Sequence, residues 1–182
     1  IEGAWYGAVL SAALLASAAV MSDDGASLDV FHLRRRAMSK PAVLFLCTNN
    51  AARSQMAEAL LRTKAADSFD VYSAGTDPKP AIDPLTVQVM HEVGIDLSGQ
   101  RPKGLLEYLG RLPVRVAISV CPRAEAKCPT MWPGVSARLQ WPFEDPAACT
   151  GSDAERLEKF RAVRDQIDRR ITDWLTELTA GK

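Results

Sequence analysis

The run from Val43 to Leu61, VLFLCTNNAARSQMAEALL, decides how the rest of the chain is laid out. Together with Ala42, its first part has the length and composition of a buried parallel strand. Gln55 to Leu61 combines good helix formers with a helical apolar period. Between them, Cys47-Thr48-Asn49-Asn50-Ala51-Ala52-Arg53-Ser54 has to turn from strand to helix, so the helix N-terminus aims back at the cysteine. Unbonded N–H groups and the positive end of the helix dipole then make a seat for a tetrahedral oxyanion. Arg53 adds a planar fork able to hold two of the anion's oxygens. The same field is expected to lower the pKa of Cys47 toward the nucleophilic thiolate, and Ser54 can donate a hydrogen bond to that sulfur. A cysteine ending a buried strand is more often an inert core residue. The arginine that follows, across a polar Thr-Asn-Asn, points instead to a nucleophile inside an anion-binding loop.

The chain of 182 residues is long enough for one domain with a sizeable core. Its 22 basic and 22 acidic residues leave no nucleic-acid footprint. Residues 1–37 carry three arginines and four acidic residues, which leaves 19 basic and 18 acidic in 38–182, so neither part is a charged tail. Four cysteines, at 47, 121, 128 and 149, fit neither a disulfide-rich secreted scaffold nor a paired-CxxC zinc site. With only His32 and His91 present, neither a His-based metal site nor a Cys–His dyad is expected, and His91 falls on an exposed helix face without a role. No metal and no cofactor is called for.

Residues 4–21 are uncharged and alanine-rich, just long enough to span a bilayer, and a buried or surface-packed helix accounts for them equally well. Arg34-Arg35-Arg36 after a span would hold that side in the cytoplasm. The expected organisation is an apolar helix and linker over 1–37, with a membrane attachment, the end of a preceding domain and a fragment of a fused protein as its alternative readings, followed by a catalytic domain over 38–182 that folds and turns over on its own. Met38 could equally be the start of a free-standing enzyme.

From Pro41 strands and helices alternate. A strand over 42–47 leads to a helix over 54–66 and a short strand at Val71–Ser73. Asp83 caps a helix with Pro84 at its first position, and Gly94 ends it. A short helix is expected near Lys103–Leu109, a buried strand at Arg115–Val120 delivering Cys121, and a strand from Val135 to Trp141. The last helix starts at Ser152 or Asp153, with Glu155 as a partial capping signal. Along it Leu157, Phe160, Val163, Ile167, Ile171, Trp174 and Leu178 form an apolar stripe expected to lie on the sheet. The fold class is α/β: a three-layer, doubly wound parallel sheet of about four strands, with an extra N-terminal apolar helix and the ligand site beyond the strands' carboxyl ends, where Cys47 stands.

Three stretches, VLFLCTNNAARSQMAEALL, Tyr72-Ser73-Ala74-Gly75 and Trp141-Pro142-Phe143-Glu144-Asp145-Pro146, resemble the arsenate reductases built on the low-molecular-weight tyrosine phosphatase fold. On spacing alone Cys121 and Cys128 could be unrelated, or a loop could bring their Cα atoms to the roughly 6 Å that a disulfide needs. The thioredoxin-coupled reductases carry a cysteine pair at this spacing, so the resemblance, covering roughly residues 42–178, implies a relay. Arsenate would sit on Thr48, Asn49, Asn50, Ala51, Ala52 and Arg53. Cys47 would attack arsenic and Asp145 would act as general acid, where a bland reading makes it a turn residue before Pro146. Cys121 would then attack Cys47, Cys128 would attack Cys121, and thioredoxin or another dithiol would regenerate the enzyme, with the catalytic domain cytoplasmic. Cys149 has no counterpart in the relay.

Two departures stand out. Close relatives often have a further cysteine before the loop arginine, where this chain has Ala52. Some bind potassium through an Asn, a Glu, a Ser and an Asp. The first three match Asn50, Glu58 and Ser73, but the acidic position falls at Lys103, whose ammonium is expected to take the cation's place. The alternative enzyme is a low-molecular-weight protein tyrosine phosphatase, but that class usually follows its Asp-Pro with an aromatic and has no need of Cys128. Here Ala147-Ala148 follows. The alternative of another class is a non-catalytic thiol redox sensor, which needs neither Arg53 nor Asp145.

Overall fold

The computed structural model describes residues 40–121 and 135–181. The apolar segment and linker of 1–37, and Cys128, therefore lie outside the described residues. The unit Lys40–Ile171 holds the sheet and the site, while Thr172–Gly181, the end of the last helix, falls in a separate unit.

Four strands, β1 (Ala42–Cys47), β2 (Asp70–Gly75), β3 (Val114–Ser119) and β4 (Ala137–Gln140), form one sheet in the order β2-β1-β3-β4. All three pairings are parallel. β1 is buried at every position, as its unbroken apolar run requires. The chain leaves β1 for β2 on one side and returns across β1 to β3 on the other. This reversal of winding opens a crevice at the carboxyl end of β1, where an open parallel sheet takes its ligand.

Helix α1 (Arg53–Ala65) packs against β1 and β2, with its residues buried continuously from Arg53 to Leu61. Leu44, Leu46, Ala74 and Ala117 form a cluster with Leu105, flanked by Tyr108, Leu109 and Leu112. Helix α2 (Pro84–Glu92) begins as its sequence requires: the Asp83 side chain accepts the Leu85 N–H at 2.9 Å, and Pro84 sits where no N–H is needed. It stops at Gly94, whose φ of 76° is the left-handed conformation that ends helices. Helix α3 (Asp153–Ala180) starts with a reciprocal capping box. Ser152 Oγ accepts the Glu155 N–H at 3.3 Å, and Glu155 Oε2 accepts the Ser152 N–H at 2.8 Å. Of its stripe, Phe160, Val163, Ile167 and Ile171 are buried. α3 is tied to its neighbours by Arg164 donating to the Val89 carbonyl at 2.8 Å, by the Lys64–Asp168 pair at 3.0 Å and by Arg170 stacked 4.8 Å over Trp141.

The element expected near Lys103–Leu109 is one 3₁₀ turn, Leu105–Glu107. The backbone before it is spent elsewhere: Gly104 pairs as a parallel bridge with Gly75, and the Lys103 carbonyl accepts the Gly75 N–H at 2.8 Å. β4 is shorter than Val135–Trp141 and only half buried, as befits an edge strand.

Candidate active site

The loop between β1 and α1 is built around Asn50. Its φ of 47° is the left-handed region, which asparagine tolerates better than most side chains. All of its hydrogen-bonding groups are used. The backbone N–H points to Cys47 Sγ at 3.0 Å, and Nδ2 donates to Ser54 Oγ and Ser73 Oγ, each at 2.8 Å. Oδ1 accepts from Gln55 Nε2 at 2.9 Å and from the Lys103 N–H at 2.7 Å. A fully satisfied buried amide of this kind fixes the loop in one shape. Gln55, taken from the sequence only as a helix former, is wholly buried and also donates to the Arg101 carbonyl at 2.8 Å, so it braces the loop from outside.

The strap after β2 holds the loop's carbonyls outward. N–H groups of Thr76, Asp77, Lys79 and Asp83 donate to the carbonyls of Cys47, Thr48, Asn49 and Ala51 at 3.2, 2.8, 2.9 and 3.0 Å. With these carbonyls turned to the strap, the loop's amides are left to the side of the sulfur, as an anion seat needs. The strap can approach only because residue 75 is glycine: a Cβ there would stand 2.6 Å from the Thr48 carbonyl oxygen. Ala52 caps α1 with no side-chain bond, and the first turn carries no acidic residue, so α1's own first turn leaves its N-terminal amides to an anion.

Cys47 is buried, with Ser54 Oγ at 2.8 Å from its sulfur. Burial pushes the Cys47 thiol above its ordinary pKa, against the pull of the Ser54 hydroxyl, the Asn50 N–H and Arg53, and the nearby Cys121 adds to the rise. This corrects the sequence expectation of a lowered value. The lowering groups are in place, but desolvation of the thiolate outweighs them in the closed pocket. Cys121, just past the end of β3, is also buried, and Thr48 Oγ1 lies 3.5 Å from its sulfur.

Arg53 Nη2 pairs with Asp145 Oδ2 at 2.8 Å, and Nη1 donates to the Phe143 carbonyl at 3.1 Å. Asp145 Oδ1 meanwhile accepts the Ala147 N–H at 3.2 Å, so the turn role and the place in the site coexist. Behind the loop, Glu58 is buried against Ser73 Oγ, Arg62 and Lys103, whose Nζ stands 2.8 Å from Glu58 Oε2. The ammonium therefore sits at the Asn50–Glu58–Ser73 cluster, and these residues do not fit a potassium ion. Among the described residues no group of three metal-ligating side chains occurs, and no helix is long and apolar enough to cross a membrane.

Cys47, Asn49, Ala51, Ala52, Arg53 and Asp145 line one small cavity, joined by Lys79, Asp83 and Ala147. Lys79 carried no signal in the sequence and Asp83 only that of a helix cap, because the strap's hydrogen bonds are what bring them here. A larger groove lined by Leu60, Val93, Ile95 and the Lys64–Asp168 pair has no cysteine in its lining. Cys149 is partly exposed and away from this cavity's lining, and His91 is exposed.

Residues 42–182 match the family model described as low molecular weight phosphotyrosine protein phosphatase. The chain belongs to that family. Within it, the chain is similar to an arsenate reductase of Halalkalibacterium halodurans, at 39% identity over 74% of this chain and 94% of the relative. It is 36% identical to an arsenate reductase of Bacillus subtilis, over 75% of this chain and 96% of the relative. Among solved structures, an arsenate reductase in a phosphate-binding state superposes with a TM-score of 0.63 at 33% identity, over 76% of this chain and 98% of that one. A thioredoxin-dependent arsenate reductase of Corynebacterium glutamicum gives 0.60 at 32% identity, covering 82% of this chain and 67% of that one. A tyrosine phosphatase from T. tengcongensis, at 22% identity and a TM-score of 0.62, shares the fold.

Proposed function

We propose that this enzyme reduces arsenate to arsenite, with Cys47 as nucleophile and electrons passing out through Cys121 and Cys128. The observation that carries the reading is a buried thiol held by Ser54 and the Asn50 N–H inside a loop whose carbonyls are tied outward, with a second buried cysteine, Cys121, beside the loop. A phosphatase needs the first thiol and not the second.

Arsenate binds to the amides of residues 48–53 and to Arg53. The Cys47 proton leaves and the sulfur attacks arsenic, forming an S–As bond. An arsenate oxygen departs as water, protonated by Asp145. Cys121 attacks the Cys47 sulfur, the S–As electron pair stays with arsenic, and As(V) leaves as As(III). Cys128 attacks Cys121, frees Cys47 and leaves a Cys121–Cys128 disulfide, which a dithiol such as thioredoxin reduces. Two thiols lose two electrons and arsenic gains them. Lys103 replaces a metal ion behind the loop, so no step runs through one.

The test is NADPH consumption by thioredoxin and its reductase with the purified chain. Sustained, arsenate-dependent consumption is expected, with no comparable turnover of a phosphotyrosine analogue. Phosphatase turnover without arsenate-dependent oxidation would replace this reading with the phosphatase one.

A further inference from the structure

The pocket's own charges do not suffice for a doubly charged anion. Arg53 is its only cationic member from the loop, and Asp145 lies against that guanidinium at 2.8 Å. Asp83 adds a second carboxylate to the lining, its Oδ1 turned to the Leu85 N–H as the helix cap. Without another cation, one positive and two negative side chains would face an incoming dianion.

That further cation is Lys79. Its backbone N–H is bonded to the Asn49 carbonyl at 2.9 Å, so its Cα is fixed to the anion loop itself. Its side chain is exposed, and among the described residues its ammonium has no hydrogen-bonding or ion-pair partner. An ammonium on a flexible stem at the rim of a cleft can follow an anion inward without first breaking a protein contact.

Resting on the oxyanion-pocket reading above, we propose that Lys79 is a substrate-capture residue, the mobile cation that brings the mouth to neutrality and draws a tetrahedral dianion past Asp83 and Asp145 onto the loop. It acts on entry and affinity, whereas Arg53 orients the bound anion.

The test uses the full chain and inorganic phosphate, a tetrahedral anion that cannot be reduced. Alkylation of Cys47 by iodoacetamide is followed as phosphate is raised, each variant being referred to its own rate without phosphate. Lys79→Ala is expected to raise the half-protecting concentration about three- to tenfold at low salt, Lys79→Glu to raise it further, and Lys79→Arg to restore it. The difference should shrink at high ionic strength, because the cation is exposed. Half-protection by Lys79→Ala within twofold of the wild-type value at low salt would overturn the role of Lys79 alone. Failure of phosphate to protect the wild-type chain would overturn the oxyanion pocket and the capture residue together.

Discussion

Replacing Asp145 by Asn should separate anion binding from chemistry. Asp145 Oδ2 holds Arg53 Nη2 at 2.8 Å, so an incoming oxyanion must share or displace that contact. A carboxylate roughly 6 Å from the anion, at an effective dielectric of about 40–80, opposes each anion charge by roughly 0.7–1.4 kcal/mol. The Asp145 side chain is 23% exposed and Asn can still accept from Arg53, so screening and the retained contact reduce this to about 1 kcal/mol. Asp145→Asn should therefore bind phosphate about fivefold more tightly by calorimetry. The same variant cannot protonate the departing oxygen, so its arsenate turnover should fall by roughly 10²–10⁴. Weaker phosphate binding would refute the view of Asp145 as a competitor for the Arg53 fork. Turnover within threefold of wild type would refute it as the general acid.

Two further outcomes follow from the buried groups. Because burial holds the Cys47 thiol above its ordinary value, its alkylation should speed up as pH rises, with a midpoint above the usual thiol pKa of about 8.5, and Ser54→Ala should move the midpoint higher still. A midpoint below neutrality would show that the loop's field wins after all. Lys103 already neutralises Glu58, so potassium should leave wild-type turnover and melting temperature unchanged. Lys103→Asp should cost about 3 kcal/mol of stability by leaving two buried carboxylates together, and potassium rather than sodium should recover part of it. A large potassium effect on the wild-type protein would contradict the ammonium's role.

Local signals carried β1, the loop and α1, since an apolar run, a polar turn and a helical period state their own structure. The caps at Asp83 and Ser152 were legible for the same reason, being contacts between residues two or three apart. What escaped depends on partners distant in the chain. The 103–109 region reads as helical, but Gly104 is drawn into pairing with Gly75, a contact no local pattern announces. The direction of the Cys47 shift turns on how completely the assembled fold excludes water, which the loop's charged and polar residues do not reveal. Gln55 looks like an ordinary polar helix residue until Asn50 and the Arg101 carbonyl close around it. The Lys103–Glu58 pair was within reach only because the resemblance set the two positions side by side.

The cysteine relay is tested most directly by Cys128→Ser. Mixed with arsenate in the absence of other thiols, this variant should release one equivalent of arsenite per chain and then stop, and peptide mapping should find Cys47 joined to Cys121. Sustained turnover of Cys128→Ser with thioredoxin, or one equivalent of arsenite with no Cys47–Cys121 disulfide, would contradict the relay.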